Sequence, residues 1–273
     1  IDGANASRWV KIPIIGLSFQ TSTLAAVVLM IFTANHLSKP NLRQLKFSHS
    51  LLQLWLPVFA VVLLIFPSNL STAALLFLMV VLLAFVAHYP LKYLLSICGM
   101  GLAAVLLFFV LVKAFPGAFP NRVDTWVKRI ENFSYGKSDD GNYQVARAKT
   151  AIVSGKIFGL GAGKSRMKNF LPQSSSDFIY AIIVEEFGLI GGVGLITLYL
   201  LLLFRIVVIA HKAQNLFGKL TVIGLGIPII LQAFINIGVA LQVLPVTGQN
   251  LPMISSGGTS AWMTCIAMGI ILS

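Results

Sequence analysis

The chain has 273 residues, of which 57% are hydrophobic and only 10% are charged, and its mean hydropathy is +0.89. These values lie far outside the range of soluble globular domains, so the composition excludes that class and predicts an integral membrane protein. The net charge of +12 favours anionic partners at the membrane surface. We expect no nucleic-acid partner.

A helix needs about 20 apolar residues to cross about 30 Å of hydrocarbon. Seven apolar runs, of which the last is short, predict an all-α polytopic protein with seven transmembrane helices. The predicted spans are residues 17–38, 50–67, 72–89, 93–115, 178–204, 220–243 and 260–272. Because Ile1 is neither a Met nor the start of a signal peptide, we expect an N-terminally truncated chain whose residues 1–273 form a single transmembrane domain.

The positive charges of the short loops predict the orientation, because Lys and Arg near span ends stay on the cytoplasmic side. One set of loops carries Lys39, Arg43, Lys46, Lys92, Arg205, Lys212 and Lys219. The short loops of the other set carry Arg8 and Lys11. The first set is therefore predicted to be cytoplasmic, and the long loop 116–177 and the loop 244–259 to lie outside.

The long loop 116–177 contains ten basic and five acidic residues, a net charge of +5. Two interpretations stay open: a basic face attracted to anionic lipid headgroups, or a subset of cations that holds a phosphate or pyrophosphate. The strings TWVKRI and YQVARAKTAIVSG have apolar residues at helical spacing and predict amphipathic segments on the bilayer surface. The string GLGAGKS is not a P-loop, because Phe158 occupies the first glycine position and no strand precedes it.

Cysteine and histidine are predicted to have no chemical role on the outer side. Cys98 and Cys265 fall within apolar spans, and all four His lie at cytoplasmic span ends. Acid or base chemistry outside must then come from a carboxylate. Asp177 follows three serines that predict a helix N-cap, which places it in the first helical turn. From spacing alone, Asp177 is either a capping residue or a carboxylate that acts on a substrate.

Four polar residues are predicted inside the apolar helices. Glu185 lies about 12 Å deeper than Asp177 along a helix, and Glu186 lies roughly on the opposite face. We expect a structural role for both, with Lys113, Arg205, Gln232 or Asn236 as partners. Gln232 and Asn236 are four residues apart and share a helix face, so they either form interhelix hydrogen bonds or line a substrate groove.

Several separated motifs resemble the SEDS family of FtsW and RodA, the polymerases of bacterial peptidoglycan. They are LPQSSSDFIYAIIVEEFGLIGG, INIGVALQVLPVTGQNLPMISSGGTS, GANASRW and FQTS, and they look more like the FtsW branch than the RodA branch. The resemblance implies a ten-helix bundle of which this chain supplies helices four to ten, with a large, partly helical extracytoplasmic loop. Asp177 falls on the Asp of the family pattern LPExHTDFIF, which is considered the catalytic carboxylate.

The resemblance implies an inverting glycosyl transfer in the bacterial cytoplasmic membrane, at the division septum. A hydroxyl of lipid II attacks the anomeric carbon of a lipid-linked glycan and expels undecaprenyl pyrophosphate, with Asp177 orienting or deprotonating the hydroxyl. A divalent cation, Mg²⁺ or Mn²⁺, is an alternative aid to this step. The predicted substrate-binding residues are Arg122, Lys164, Lys168, Gln232, Asn236 and Ser255. The implied partners are a class B penicillin-binding protein and other division proteins.

The chain also departs from the family pattern. Thr23 and Ala26 stand where the pattern has a Glu and Lys pair, Gln173 replaces the Glu of LPE, and Ser256 replaces a Tyr. Three other functions stay open: a flippase of lipid-linked precursors, a RodA-type elongation polymerase, and a noncatalytic scaffold. The single acid and the basic cluster at one face favour the enzyme, because a flippase needs polar groups along the whole crossing.

Overall fold

The computed structural model describes residues 9–11, 18–39, 47–114, 139–171 and 174–273, and almost all of its regular structure is helical. The helices are α1 (Thr21–Leu37), α2 (Phe47–Ile65), α3 (Leu70–Val86), α4 (Leu91–Ala114), α5 (Asp139–Gly155), α6 (Ile179–Lys212), α7 (Leu216–Ala240) and α8 (Gly258–Leu272). Two short strands, β1 (Trp9–Lys11) and β2 (Ser18–Gln20), pair antiparallel before α1. The predicted all-α class is confirmed.

Each predicted span contains a helix, but the helices differ in length. In the described part of the chain, α2, α4, α6 and α7 are long and apolar enough to cross a membrane. The helices α1, α3 and α8 have 17, 17 and 15 residues, which correspond to about 23 to 26 Å at 1.5 Å per residue. All seven predicted spans thus contain an apolar helix; among the described residues, four of these helices reach the length of a full crossing and those of the first, third and last spans are shorter.

Helix α7 lies at the centre of the bundle, where it packs against α1, α3, α6 and α8. Two glycines permit the close approach of its neighbours. A Cβ at Gly224 would lie 3.0 Å from Leu83 of α3, and one at Gly226 would lie 2.7 Å from Ile206 of α6. The central position of α7 fixes the polar side chains near its outer end relative to these four helices.

Helix α6 is broken at Gly188, whose φ of 70° and ψ of −170° are not helical. A Cβ at Gly192 would lie 2.8 Å from the Val184 side chain and 3.0 Å from the Tyr180 hydroxyl. Val184 and Tyr180 precede Gly192 by eight and twelve positions. In a straight helix they would lie about 12 and 18 Å from it along the axis, so α6 bends sharply at this point. The 24 residues after the break extend about 36 Å and are long enough to cross the bilayer without the first two turns.

Residues 156–161, which we call the inserted segment, supply new partners for the backbone at this break. In an unbroken helix the amides of Leu189 and Ile190 would donate to the carbonyls of Glu185 and Glu186. Four hydrogen bonds to the inserted segment replace these two: Leu189 N–H to Lys156 O (2.9 Å), Ile190 N–H to Ile157 O (3.3 Å), Leu160 N–H to Glu185 O (2.9 Å) and Gly161 N–H to Glu186 O (2.9 Å). All four groups of the break therefore keep a partner, as backbone near the hydrocarbon requires.

Glycines make this close backbone approach possible. A Cβ at Gly159 would lie 2.2 Å from Glu186 O, and one at Gly188 would lie 2.2 Å from Ile157 O. Both glycines also have positive φ, at 80° and 70°. A side chain at either position would push the inserted segment away from α6.

We predict that Gly159→Ala lowers the free energy of unfolding by about 2 to 5 kcal/mol, because the new methyl group adds a backbone clash to the strain of positive φ. Gly163→Ala is the matched control: Gly163 has a φ of 75° but nothing within 4 Å of an added Cβ, so only about 1 kcal/mol is expected. Thermal unfolding in detergent, followed by tryptophan fluorescence, measures both. Equal losses in the two variants would contradict the close packing.

Candidate active site

Asp177 lies on the wall of a polar cavity of about 380 Å³. The cavity is bounded by β2, the first turns of α1 and α3, the outer half of α7, residues 247–250 and the start of α8. Its polar lining includes the side chains of Gln20, Thr23, Thr72, Gln232, Gln249 and Asn250. Among the described residues of the lining, Asp177 is the one ionisable side chain. The volume falls in the range of small-ligand sites, about 300 to 1,000 Å³.

The turn that carries Asp177 precedes α6. The helix begins at Ile179 with Phe178 at the N-cap position, so the prediction of Asp177 within the first helical turn is wrong by two residues. The reason is that the carbonyls of residues 175–177 bond to other parts of the bundle. These bonds are Asn236 Nδ2 to Asp177 O (2.9 Å), Ser255 Oγ to Ser176 O (2.7 Å), and Ser256 N–H (2.9 Å) and Oγ (3.0 Å) to Ser175 O.

These bonds fasten three consecutive carbonyls to α7 and to the loop before α8. The backbone of Asp177 is therefore held in one position relative to the cavity, and a Cβ at Gly248 would lie only 3.5 Å from the Oδ2 atom of its half-buried side chain. A catalytic carboxylate needs a backbone that is fixed in this way. Ser256, which departs from the family pattern, contributes to the fastening through both its amide and its hydroxyl.

The two amides of α7 have different positions. Gln232 lines the cavity together with Asp177. Asn236 is 1% exposed and donates to Asp177 O and to Gln249 O, the latter at 2.7 Å. The structure therefore places Asn236 behind the cavity, where it joins α7 to two outer segments. Ser255 has a similar place, because it accepts from Leu251 N–H and donates to Ser176 O.

The predicted cationic ligands lie apart from this cavity or outside the described residues. Arg122 belongs to the part of the chain that the structure does not describe. Lys164 and Lys168 are exposed, and neither is among the described residues of the lining. The glycine-rich string 159–165 follows helix α5 and not a strand, which agrees with the prediction that it is not a P-loop.

Glu185 is completely buried and binds the loop that leads to Asp177. Its carboxylate accepts from Ser165 Oγ at 2.5 Å, from Arg166 N–H at 3.0 Å and from Met167 N–H at 3.3 Å. The predicted partners Arg205, Gln232 and Asn236 are not among its described contacts, because the bend of α6 and the return of the loop bring backbone amides to this carboxylate. The side chain of Lys113 lies outside the described residues. The sequence signal for this arrangement is the pair of glycine-rich strings on either side of the Asp177 motif.

Comparison with known proteins decides the family. The sequence pattern of the cell cycle protein family of FtsW, RodA and SpoVE matches residues 2–273. The probable peptidoglycan glycosyltransferase FtsW of Geobacter sp. strain M18 is 32% identical over 275 residues, which cover 98% of this chain and 71% of that protein. The chain belongs to the FtsW/RodA/SpoVE family.

Solved structures agree with this assignment. A chain of a peptidoglycan synthase complex, described in terms of the coordination of polymerization and crosslinking, matches with a TM-score of 0.76 and 27% identity over all of this chain and 73% of that chain. An Asp-to-Ala variant of the rod shape determining protein RodA from Thermus thermophilus matches with a TM-score of 0.65 and 26% identity over 100% and 70% of the two chains. The protein is thus a multi-pass membrane protein of the FtsW/RodA/SpoVE fold.

Two of the departures from the family pattern fall on the cavity itself. Thr23 and Ala26, which replace the Glu and Lys pair of the pattern, both line the cavity that contains Asp177. In this chain the described lining is therefore neutral apart from Asp177. A mechanism for this family member must work without that pair.

The described residues supply a limited set of ligands for a metal ion. Within the described ranges, no three His, Cys, Asp or Glu side chains come together. Asp177 and the neutral amide and hydroxyl oxygens of the cavity nevertheless fit a hard, oxygen-ligated cation such as Mg²⁺ or Mn²⁺, which commonly binds through one carboxylate, waters and substrate phosphates. Such an ion would stabilise negative charge on a bound pyrophosphate.

We predict that Glu185→Gln exposes the loop 160–171 to protease. The glutamine NH₂ group would face N–H and O–H donors, and hydrogen bonds to a charged group contribute about 1.5 to 3 kcal/mol, so trypsin should cleave after Lys164, Arg166 or Lys168 about 10- to 100-fold faster. Glu186→Gln is the matched control, since among the described hydrogen bonds only its backbone binds this loop. Unchanged cleavage of Glu185→Gln would remove the carboxylate from this role.

Proposed function

We propose that this protein is a peptidoglycan glycosyltransferase that polymerises lipid II into glycan strands at the outer face of the bacterial cytoplasmic membrane. The observation that carries the proposal is the polar cavity whose wall holds Asp177, fastened through three consecutive backbone carbonyls. Family membership over residues 2–273 and relatives named as probable peptidoglycan glycosyltransferases support the same activity.

The proposed reaction is an inverting transfer. The hydroxyl oxygen of lipid II forms a bond to the anomeric carbon of the lipid-linked glycan, and the bond from that carbon to the pyrophosphate oxygen breaks. Asp177 orients the hydroxyl and accepts its proton as the new bond forms. The expelled undecaprenyl pyrophosphate carries the negative charge. Arg122, Lys164 and Lys168 are the cations proposed to stabilise it, and the two lysines would do so from outside the described cavity lining. Gln232, which lines the same cavity, is proposed to position a sugar or pyrophosphate oxygen.

The cellular setting is part of the proposal. The curated relatives that match over most of the chain carry the FtsW name, which favours septal synthesis in cell division over elongation. The matching chain of a peptidoglycan synthase complex supports a class B penicillin-binding protein as partner. Exposed apolar residues on the membrane-spanning part of α6, such as Leu198, Leu201 and Phe204, offer a surface for its membrane anchor. The loop 116–177 is proposed to lie on the periplasmic side.

We predict that Asp177→Asn reduces glycan polymerisation by about 10² to 10⁴-fold, because an amide cannot accept the proton of the attacking hydroxyl. The variant keeps its backbone carbonyl, so the bond from Asn236 and the fold are expected to remain. The measurement is polymer formation from labelled lipid II by the reconstituted protein with its transpeptidase partner. The control is Glu186→Gln, which removes a nearby acid outside the cavity and should retain wild-type activity.

Two outcomes would contradict the proposal in different ways. Full polymerisation by a folded Asp177→Asn variant removes Asp177 from the mechanism. If the unmodified protein forms no polymer but moves labelled lipid II across the vesicle membrane, it is a flippase.

A further inference from the structure

Three apolar side chains at and just after the C-terminal end of α5 are strongly exposed. Val153 near the end of α5 is 74% exposed, and Ile157 and Phe158 in the inserted segment are 56% and 81% exposed. Full burial of one such side chain stabilises a protein by about 1.5 to 3 kcal/mol, so exposure of three together to water is unfavourable. Neighbouring large apolar side chains on a surface mark a contact with a partner or a membrane.

The hydrogen bonds at the α6 break place these side chains at the outer edge of the bilayer. The carbonyls of Lys156 and Ile157 accept from Leu189 and Ile190, the first residues of the membrane-spanning part of α6. The 24 residues from Leu189 to Lys212 extend about 36 Å, slightly more than the hydrocarbon thickness of about 30 Å. Leu189 therefore lies at the outer boundary, and the inserted segment lies beside it.

The outer end of α6 is itself apolar and exposed at this level. Leu189, Ile190 and Val193 are 57%, 58% and 52% exposed, and a membrane-spanning helix presents such side chains to lipid. Ile157 and Phe158 lie next to this apolar surface, because the carbonyls of Lys156 and Ile157 accept hydrogen bonds from Leu189 and Ile190 of α6. This adjacency favours lipid over water or a soluble protein as the occupant.

Two further observations separate this contact from the amphipathic face of α5. Ala148 and Ala151 of α5 are 1% and 0% exposed and pack against Phe178 and Ala181. These two alanines of α5 are thus covered by protein, so the contact with the bilayer that the sequence predicts for this helix is limited to its other, exposed side near the C-terminal end. The exposed Lys149 and Lys156 border the three apolar side chains, at the level where cations meet lipid phosphates.

We propose that Val153, Ile157 and Phe158 insert into the outer leaflet, while Lys149 and Lys156 bind the phosphates of its headgroups. This contact anchors the extracytoplasmic segment to the membrane next to α6. It fixes the height of the loop that Glu185 holds, and hence of the turn that carries Asp177. The proposal depends on the geometry of the break and not on the proposed reaction.

Site-directed spin labelling of the full chain tests this proposal. Cys98 and Cys265 are replaced by Ala, and a nitroxide is attached at Phe158→Cys in protein reconstituted into phosphatidylglycerol and phosphatidylethanolamine vesicles without a partner protein. Collision rates with O₂, which concentrates in lipid, are compared with those of a water-soluble nickel complex. We expect an O₂-to-nickel ratio at position 158 several-fold above that at Phe170→Cys. Phe170 is a matched control because it is an equally large side chain, 55% exposed, whose ring faces a charged group: its centroid lies 5.7 Å from Cζ of Arg147.

Leu198→Cys, in the middle of the span and 64% exposed, gives the reference ratio for lipid contact. A second label at Val153→Cys should behave like position 158, so the test does not depend on one variant. Nickel accessibility at both 153 and 158, equal to that at 170, overturns the proposal and indicates water or an absent protein partner at this surface. Because no substrate is used, this failure is distinguishable from a failure of the polymerase assay.

Discussion

The outer half of this structure depends on how the backbone of α6 is satisfied where the helix breaks. Near the hydrocarbon, each unpaired amide or carbonyl costs several kcal/mol, so a break persists only if other groups replace the lost bonds. The inserted segment supplies these groups from its own backbone, and the glycines at 159 and 188 let the two chains meet. The bend then brings the first two turns of α6 over the outer end of the bundle.

Two sets of polar contacts extend this arrangement to Asp177. On one side, the buried Glu185 binds Ser165 and two backbone amides, which holds the loop that returns toward Asp177. On the other side, Asn236 and Ser255 bind the carbonyls of the turn itself. The carboxylate is thus positioned by backbone contacts from separate helices, while its side chain stays at the wall of the cavity.

The sequence was sufficient for the features that local patterns determine. Apolar runs predicted where the helices lie, and the motif around Asp177 predicted the family and the residue at the cavity. The break at Gly188 could not be predicted, because EEFGLIGG continues the apolar pattern of a helix. The hydrogen bonds that stabilise the break come from residues about 30 positions earlier in the chain. For the same reason the partners of Glu185 and the packing of α5 on α6 were missed. The place of Thr23 and Ala26 in the cavity wall also required the tertiary structure.

The junction between the inserted segment and α6 has a consequence for how this protein can diverge. Its four hydrogen bonds join main-chain atoms only, so substitutions at Lys156, Ile157 or Leu160 change the surface without removing a bond. Replacement of Gly159 or Gly188, in contrast, displaces the chain itself. The side chains that this region presents to its surroundings can therefore vary, while the backbone geometry beneath them depends on the two glycines alone.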